Sequence, residues 1–410
     1  MTIRVLNLLN QEILSERFFL LKNIVYFCSM ISYKYKLYRT PKTKHLDKML
    51  REACFVWNHA LALQKRYYRL YHKYIGVTKM QKHFAKRISR CLLHSQTTQD
   101  ILQCLDTSYQ RFFEHLSERP PKFKKAKGMK SFVFKQGGYT LNGNVLTINR
   151  IKKRFKFSLS RPYDGKVKTL TVKRTPLGEY FIVMVLDKPV GTLGKSRNGA
   201  SVGIDFGLRQ YLTLSNGDVI DNPQFLKKNL KNIQRKNHLL SKKEEGSNNH
   251  ERKRLELNRQ HEKIVNKRND WQWKLAHQLC RQYDQIFIED LSLKKMFSTY
   301  CWGRKMADLA HGEFLLKLQY MATKYGVTVH KVDRDYPSSQ TCTCGYVYED
   351  LQLHEVHWTC PVCGKTHHRD LLAAGNILRR GIDELKSDRK TSSTERKRVR
   401  TRYHSRISCL

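Results

Sequence analysis

SVGIDFGLRQYLTLSNGDVI, residues 201–220, reads as three short apolar strands joined by tight turns, with Asp205 closing the first. Such a meander makes one side of a sheet. Downstream, IFIED (286–290) is a buried strand that ends in Glu289 and Asp290, and a helix-like AAGNIL stretch is opened by Asp370. Singly, an acid at a strand end is most often a turn or cap. Three acids on separate elements are what a pair of hard divalent cations requires, because no single helix or loop can present that many oxygen ligands.

Between the second and third acids lies CTCGYVYEDLQLHEVHWTCPVCGKTHHRD, residues 342–370. Cys342, Cys344, Cys360 and Cys363 form two close pairs in a polar stretch, a layout that folds around tetrahedral Zn²⁺. The first pair is C-x-C rather than C-x-x-C, so the usual knuckle turn, in which backbone N–H groups support the sulfurs, is expected to be lost. His354, His357 and His367 are available as substitute ligands. The other seven cysteines, Cys28, Cys54, Cys91, Cys104, Cys280, Cys301 and Cys409, are isolated and fit a reducing compartment.

Composition sets the class of partner. Lys plus Arg number 78 against 35 acids, a formal charge of +43, while 40% apolar residues and 11% aromatics are enough to build packed cores. A chain so charged favours a polyanion, with counterion release supplying much of the affinity. No apolar run reaches the roughly 18–20 residues of a membrane span, FFLLKNIVYFCSMI (18–31) being broken by Lys22.

Residues 1–29 share little with the rest of the chain, and Met30 is the expected start. A strand over about 31–39 leads into a helix carrying Leu46, Met49, Leu50, Ala53, Trp57, Ala60 and Leu61 on one face. Its continuation, QKRYYRLYHKYIG, interleaves tyrosine with Lys and Arg; Tyr67 and Tyr71 are candidates for base stacking. Helices near 78–93 and 98–117 complete this block. After Pro120, Pro121 and a basic loop, period-two strands from Ser131 to Asp187 predict an antiparallel barrel or sheet joined by the first strand. Residues 223–280 predict two antiparallel helices turning at EEGSNNH, with a buried stripe of Leu226, Leu230, Ile233 and Leu240. Their basic face, Lys227, Lys228, Lys231, Arg235, Lys236, Arg252, Lys253 and Arg254, is the candidate nucleic-acid cradle. Beyond them come a single long helix over about 303–325 and the strand TVHKVD.

The order of acids and strands is that of a ribonuclease H-like fold. GIDFGLR, IFIEDLSLKKM, WGRKMADLAHGEF, YPSSQTC, WTCPVCG and HHRDLLAAGNI, in that order, resemble the TnpB family of transposon-encoded proteins, relatives of the type V CRISPR effectors. The resemblance spans about residues 30–381. It implies a multidomain α/β plus β-barrel chain: a wedge-like barrel (30–43 and 131–200), a helical recognition block (44–130), a RuvC-like nuclease domain (201–341 and 364–385), a zinc ribbon (342–363) and a basic disordered tail (386–410).

The family's activity would be RNA-guided cleavage of double-stranded DNA in support of transposition. Asp205, Glu289 and Asp370 would be the catalytic acids holding two Mg²⁺, and Cys342, Cys344, Cys360 and Cys363 the ligands of one structural Zn²⁺. Partners would be a guide RNA from the same element, target duplex DNA and a separate transposase, in a prokaryotic cytoplasm at the nucleoid. Besides the short C-x-C pair, His368 stands where the family has Asp, and Leu372 where it has Asn. Both flank Asp370. A DNA-binding protein that no longer cuts, or a strand-transferring transposase, are the competing readings.

Overall fold

Alternating apolar side chains in SFVF, VKTLTVKR and YFIVMVL commit these segments to strands with one buried face. The structure is a computed structural model describing residues 30–87, 91–189, 191, 193, 198–290, 303–352 and 355–387. It divides into two compact units, 1–190 and 191–410. No helix among the described residues is long and apolar enough to cross a membrane.

In the first unit, β1 (Met30–Lys36), β2 (Ser131–Phe134), β6 (Val167–Arg174) and β7 (Tyr180–Pro189) form an antiparallel sheet in the order β1-β7-β6-β2. The first strand does join this sheet. β3 (Tyr139–Asn142), β4 (Val145–Ile148) and β5 (Lys153–Lys156) make a separate three-stranded sheet, tied to the first by a Leu37–Phe157 bridge. The strands are therefore not hydrogen-bonded into one closed ring. Between β2 and β3 the backbone N–H groups of Gln136 and Gly137 bond Gln96 Oε1, at 3.1 and 2.9 Å, instead of a neighbouring strand.

Three helices cover this core: α1 (Lys44–Tyr71), α2 (Val77–Arg87) and α3 (Ser95–Phe113). The helix α1 buries Leu46, Met49, Leu50, Ala53, Trp57, Ala60 and Leu61, the whole predicted stripe, and ends where His72 turns left-handed. With Phe134, Phe157, Leu170 and Ile182 these side chains share one apolar cluster.

The second unit is built on a mixed five-stranded sheet whose strands run, edge to edge, Val219–Asp221, Gln210–Leu214, Ser201–Phe206, Gln285–Glu289 and Thr328–Val332. The predicted meander is β8 (Ser201–Phe206), β9 (Gln210–Leu214) and β10 (Val219–Asp221), antiparallel throughout. β11 (Gln285–Glu289) and β12 (Thr328–Val332) add on in parallel. One face packs Val202, Ile204, Ile286 and Ile288 against Leu275, Leu279, Phe314 and Leu318. Those partners come from α5 (Asn248–Gln282) and α7 (His311–Tyr325). The other face packs Phe287 and Val332 against Ile377, Leu378 and Ile382 of a closing helix, residues 369–387.

The helix α4 (Phe225–Ser241) and α5 form the predicted hairpin around Ile233, Leu257 and Ile264. Of the predicted α4 stripe only Ile233 is buried; Leu226 and Leu240 are half-buried and pack against this cluster, and Leu230 is half-buried. The expected single helix over 303–325 is instead two: α6 (Gly303–Leu309) and α7, broken at Ala310 with φ 48°. Four bonds explain the break. Gln272 Nε2 donates to the Leu309 and Ala310 carbonyls at 3.2 and 3.3 Å, groups an unbroken helix would use itself. Asp308 accepts from the Leu226 N–H at 2.9 Å and from the Lys227 N–H, capping α4 from outside.

Candidate functional site

Asp205 and Glu289 are brought together by strand register. β8 and β11 are parallel neighbours, paired Ser201 with Gln285 through Ile204 with Ile288, so the next step along each sets the two acids side by side. Alternation fixes their face. A Cβ on Gly203 would lie 2.2 Å from the Ala374 carbonyl oxygen, and one on Gly381 would lie 2.1 Å from the Phe287 ring, so helix 369–387 crosses directly over these two strands. Asp205 is two residues beyond Gly203 and Glu289 two beyond Phe287, so both carboxylates point to the side that the helix covers. Asp370 sits at that helix's first turn, about 6 Å along the axis from Ala374. Only glycine at 203 permits this approach.

Electrostatics record the same convergence. Asp205, half-buried, has its pKa pushed up to about 7, first by desolvation and then by repulsion from Asp370 and Glu289; Arg369 and the Phe206 N–H oppose the shift. Glu289 is also raised, by burial and then by Asp290, against the pull of Arg334. Asp205 and Glu289, which resist ionising in this setting, are poised to bind cations, since a metal removes both the repulsion and the desolvation cost.

Asp290, the second acid of the IED run, anchors the end of β11. Lys331 Nζ donates to Oδ1 at 3.0 Å, while the Arg334 guanidinium donates to Oδ2 at 2.5 Å and to the Asp290 carbonyl at 3.0 Å. Burial would raise the Asp290 pKa, but these two cations hold it below the ordinary carboxylate range. The signal available in sequence was DRD directly after the TVHKV strand, unreadable without its register.

All four candidate thiols meet. The sulfurs of Cys342, Cys344, Cys360 and Cys363 lie within 4.8 Å of one another, with Cys342–Cys363 at 3.5 Å and Cys344–Cys360 at 3.7 Å. Tetrahedral sulfurs about 2.3 Å from one ion would be about 3.8 Å apart, so the donor set fits a thiophilic metal. The expected loss of the supporting turn does not occur. The Gly345 N–H bonds the Cys342 carbonyl at 3.0 Å, φ 95° at Gly345 turns the chain back so that the Tyr346 carbonyl accepts the Cys342 N–H at 2.7 Å, and the N–H groups of Cys344 and Tyr346 support the sulfurs of Cys342 and Cys344. Gly364 closes the second pair, its N–H 2.9 Å from the Cys360 carbonyl.

Although burial works against it, the Cys342 thiol is lowered to about 5 by the Cys344 N–H, His367 and the neighbouring thiols. Cys344, despite the Tyr346 N–H, is raised to about 11 as the proton-holding partner. His367 Nε2 is 3.1 Å from the Cys342 sulfur, beside the cluster rather than replacing a thiol. His357 packs edge-on to His368 at 5.0 Å, and His354 lies outside the described residues.

The two departures beside Asp370 have homes away from the acids. Leu372 is buried with Cys342, Trp358 and Cys360, forming the apolar centre of the cysteine module, which is completed by β13 (His357–Thr359) and β14 (Thr366–His368). His368 faces His357. Asn376, fully buried, donates to the Ser338 and Thr341 carbonyls at 2.8 and 2.6 Å, bolting the module's entry to the helix that carries Asp370.

On the hairpin, Lys227, Lys228, Lys231, Arg235 and Arg252 are exposed. Lys236 bonds Gln260, Lys253 pairs with Glu256 and Arg254 with Glu251, so these three are partly spent on the protein itself. In the first unit Tyr71 is open to solvent, whereas Tyr67 lies tilted against its ring at 4.8 Å and packs against the core.

Residues 182–299 match a family described as a probable transposase, 311–377 a Cas12f1-like TNB domain and 30–73 a helix-turn-helix domain. A protein of Streptomyces pristinaespiralis named "Putative RNA-guided DNA endonuclease" is 30% identical over 74% of this chain and 77% of its own length. InsQ of Escherichia coli K12, which carries the same description, is 28% identical over 80% and 87%. TnpB-like protein L79 of Acanthamoeba polyphaga mimivirus is 29% identical over 55% of this chain and 46% of its own. Among solved structures, a Cas12f1–sgRNA–target DNA complex superposes with a TM-score of 0.52 at 15% identity, covering 83% of each chain. That likeness concerns fold.

Proposed function

Because this chain belongs to the TnpB family, we propose that it is a transposon-associated, RNA-guided DNA endonuclease with a RuvC-type site at Asp205, Glu289 and Asp370. One observation carries the reading: two acids made neighbours by parallel register beneath a helix whose first turn bears the third. A pair of Mg²⁺ ions bound there would supply an activated water and stabilise the leaving oxygen of a phosphodiester. The chain's own work is to hold three carboxylates in place. Asp205 would give up its proton to ligate a metal, Arg369 and Arg334 offset the charge around the acids, and the Lys331–Asp290–Arg334 clamp fixes the strand end that bears Glu289.

In this reading the four cysteines hold a structural Zn²⁺ in a ribbon inserted before the last helix. The two antiparallel sheets of the first unit would take the place of the expected wedge-like barrel, and α1 to α3 that of the recognition block. Guide pairing would choose the target while protein reads a short duplex motif beside it. A transposase from the same element would act separately, in the prokaryotic cytoplasm.

Plasmid cleavage by the protein with RNA from its own element tests the assignment. Cleavage is expected in Mg²⁺, and not in EDTA or with Asp205→Ala. Mg²⁺-dependent nicking that survives Asp205→Ala refutes the site; target binding without cleavage in the unaltered chain selects the non-cutting reading.

A further inference from the structure

The basic loop after Pro121 is strapped to α1 by side chains that reach its main chain. Cys54, Trp57 and Asn58 occupy one helical face. Asn58 closes two bonds on a single residue: Nδ2 donates to the Lys124 carbonyl and Oδ1 accepts the Lys124 N–H, both at 2.8 Å. Cys54 Sγ reaches the same carbonyl at 3.2 Å and Trp57 Nε1 the Lys122 carbonyl at 3.1 Å. The Lys124 side chain turns inward, its ammonium 3.3 Å from the Trp57 ring centre. Beyond it a 3₁₀ turn over Ala126–Gly128 is closed by the Gly128 N–H on the Lys125 carbonyl at 2.7 Å, and Arg174 N–H holds the Lys130 carbonyl at 2.7 Å.

A loop so fixed presents Lys122, Lys125, Lys127 and Lys130 to solvent, and none of them forms an ion pair among the described residues. From Arg119 to Tyr163 the sequence contains no Asp or Glu to neutralise them. Phe123, an apolar ring with no apolar reason to be outside, is 54% exposed between these lysines, with Lys65 of α1 4.9 Å from its centre. One turn beyond Lys65, Tyr68 is 59% exposed on the same helical face. Fixed ammonium groups with an outward aromatic ring are the elements of a surface that tracks phosphates while a base stacks.

We propose that residues 122–130, held rigid by Asn58, with Phe123 and Tyr68, form a preorganised binding surface for an unpaired stretch of RNA. Exposed aromatic faces favour unpaired bases over a stacked duplex, and the RNA assignment rests on the function proposed above. Asn58 touches no nucleotide. It is a positioning residue whose strap removes the ordering entropy that a free loop would lose on binding.

The full chain is titrated with a fluorescent 20-nucleotide oligo(U), with oligo(dT) and with duplex DNA across a salt series. Replacing Lys122, Lys125, Lys127 and Lys130 by Gln should lower the salt slope for oligo(U) by about 3, at roughly 0.7 per phosphate. Phe123→Ala should weaken oligo(U) without changing the slope. Asn58→Ala, with every charge retained, should weaken it about three- to tenfold at unchanged slope.

A control with Lys79, Lys82, Lys152 and Lys156 replaced by Gln removes equal charge elsewhere. An equal loss in the control, an unchanged slope in the loop variant, or an effect confined to duplex DNA overturns the proposal. Should Asn58→Ala fail to fold, the exposed-residue variants decide alone. Failure of the unaltered chain to bind oligo(U) would instead count against RNA guidance itself.

Discussion

Replacing Asp205 by Asn should make the magnesium-free protein more stable, and by an amount that depends on pH. The folded Asp205 pKa is about 7 against an ordinary 3.8, so the folded state holds this proton more tightly than the unfolded chain. A carboxyl raised in this way contributes its stability fully below pH 3.8 and loses it as pH rises towards 7. The gap of about 3 units corresponds to roughly 4 kcal/mol as an upper limit, at about 1.4 kcal/mol per unit. The isosteric amide has no charge to desolvate and none to set against Asp370 and Glu289. Its advantage over the unaltered chain should thus be near zero at pH 4, grow through pH 5 and 6, and level off above 7. Urea unfolding in magnesium-free buffer without a thiophilic chelator measures it. Added Mg²⁺ should reverse the ranking, stabilising the parent by about 2.7 kcal/mol at a hundredfold excess over its dissociation constant and leaving Asp205→Asn behind. An advantage that is flat with pH, or a variant less stable at pH 8, would show that burial and the neighbouring acids do not hold the proton on Asp205.

Three further substitutions test how the closing helix is seated. Gly203→Ala puts a methyl 2.2 Å from the Ala374 carbonyl and should cost at least about 2–3 kcal/mol with loss of cleavage, whereas Gly375→Ala, with nothing within 4 Å, should gain about 0.5–1 kcal/mol; thermal melts of both read the contrast. Asn376→Ala breaks the bonds to Ser338 and Thr341, so it should destabilise by about 2–3 kcal/mol and speed the reaction of the four thiols with a thiol reagent; unchanged thiol kinetics would mean that the module is held by other contacts.

Element order was legible in sequence wherever pattern and burial agreed. The α1 stripe, the 201–220 meander and the strand ending in Glu289 are each set by one buried face, so periodicity reveals them. What it missed was decided by partners distant in the chain. Nothing local tells that Ala310 will turn left-handed, because Gln272 and Asp308 impose the break from α5 and through α4. Pairing of β3 to β5 apart from the larger sheet depends on Gln96, forty residues upstream. The acids themselves were visible by type and spacing, but Lys331, Arg334 and Asn376 became part of the site only through register and packing. For the cysteines, spacing alone misled: Gly345, not the residue count, restores the turn.

The centre of the cysteine module contains Leu372, a residue of the helix opened by Asp370. The segment 342–363 is therefore not a detachable cassette. Cut out at its sequence boundaries, it would leave behind its own floor, and the truncated remainder would display Leu372 to water together with an Asn376 amide stripped of the Thr341 geometry it binds. Anyone shortening this chain, or grafting the cysteine module of a relative into it, must carry the module and the first two turns of the final helix as one block.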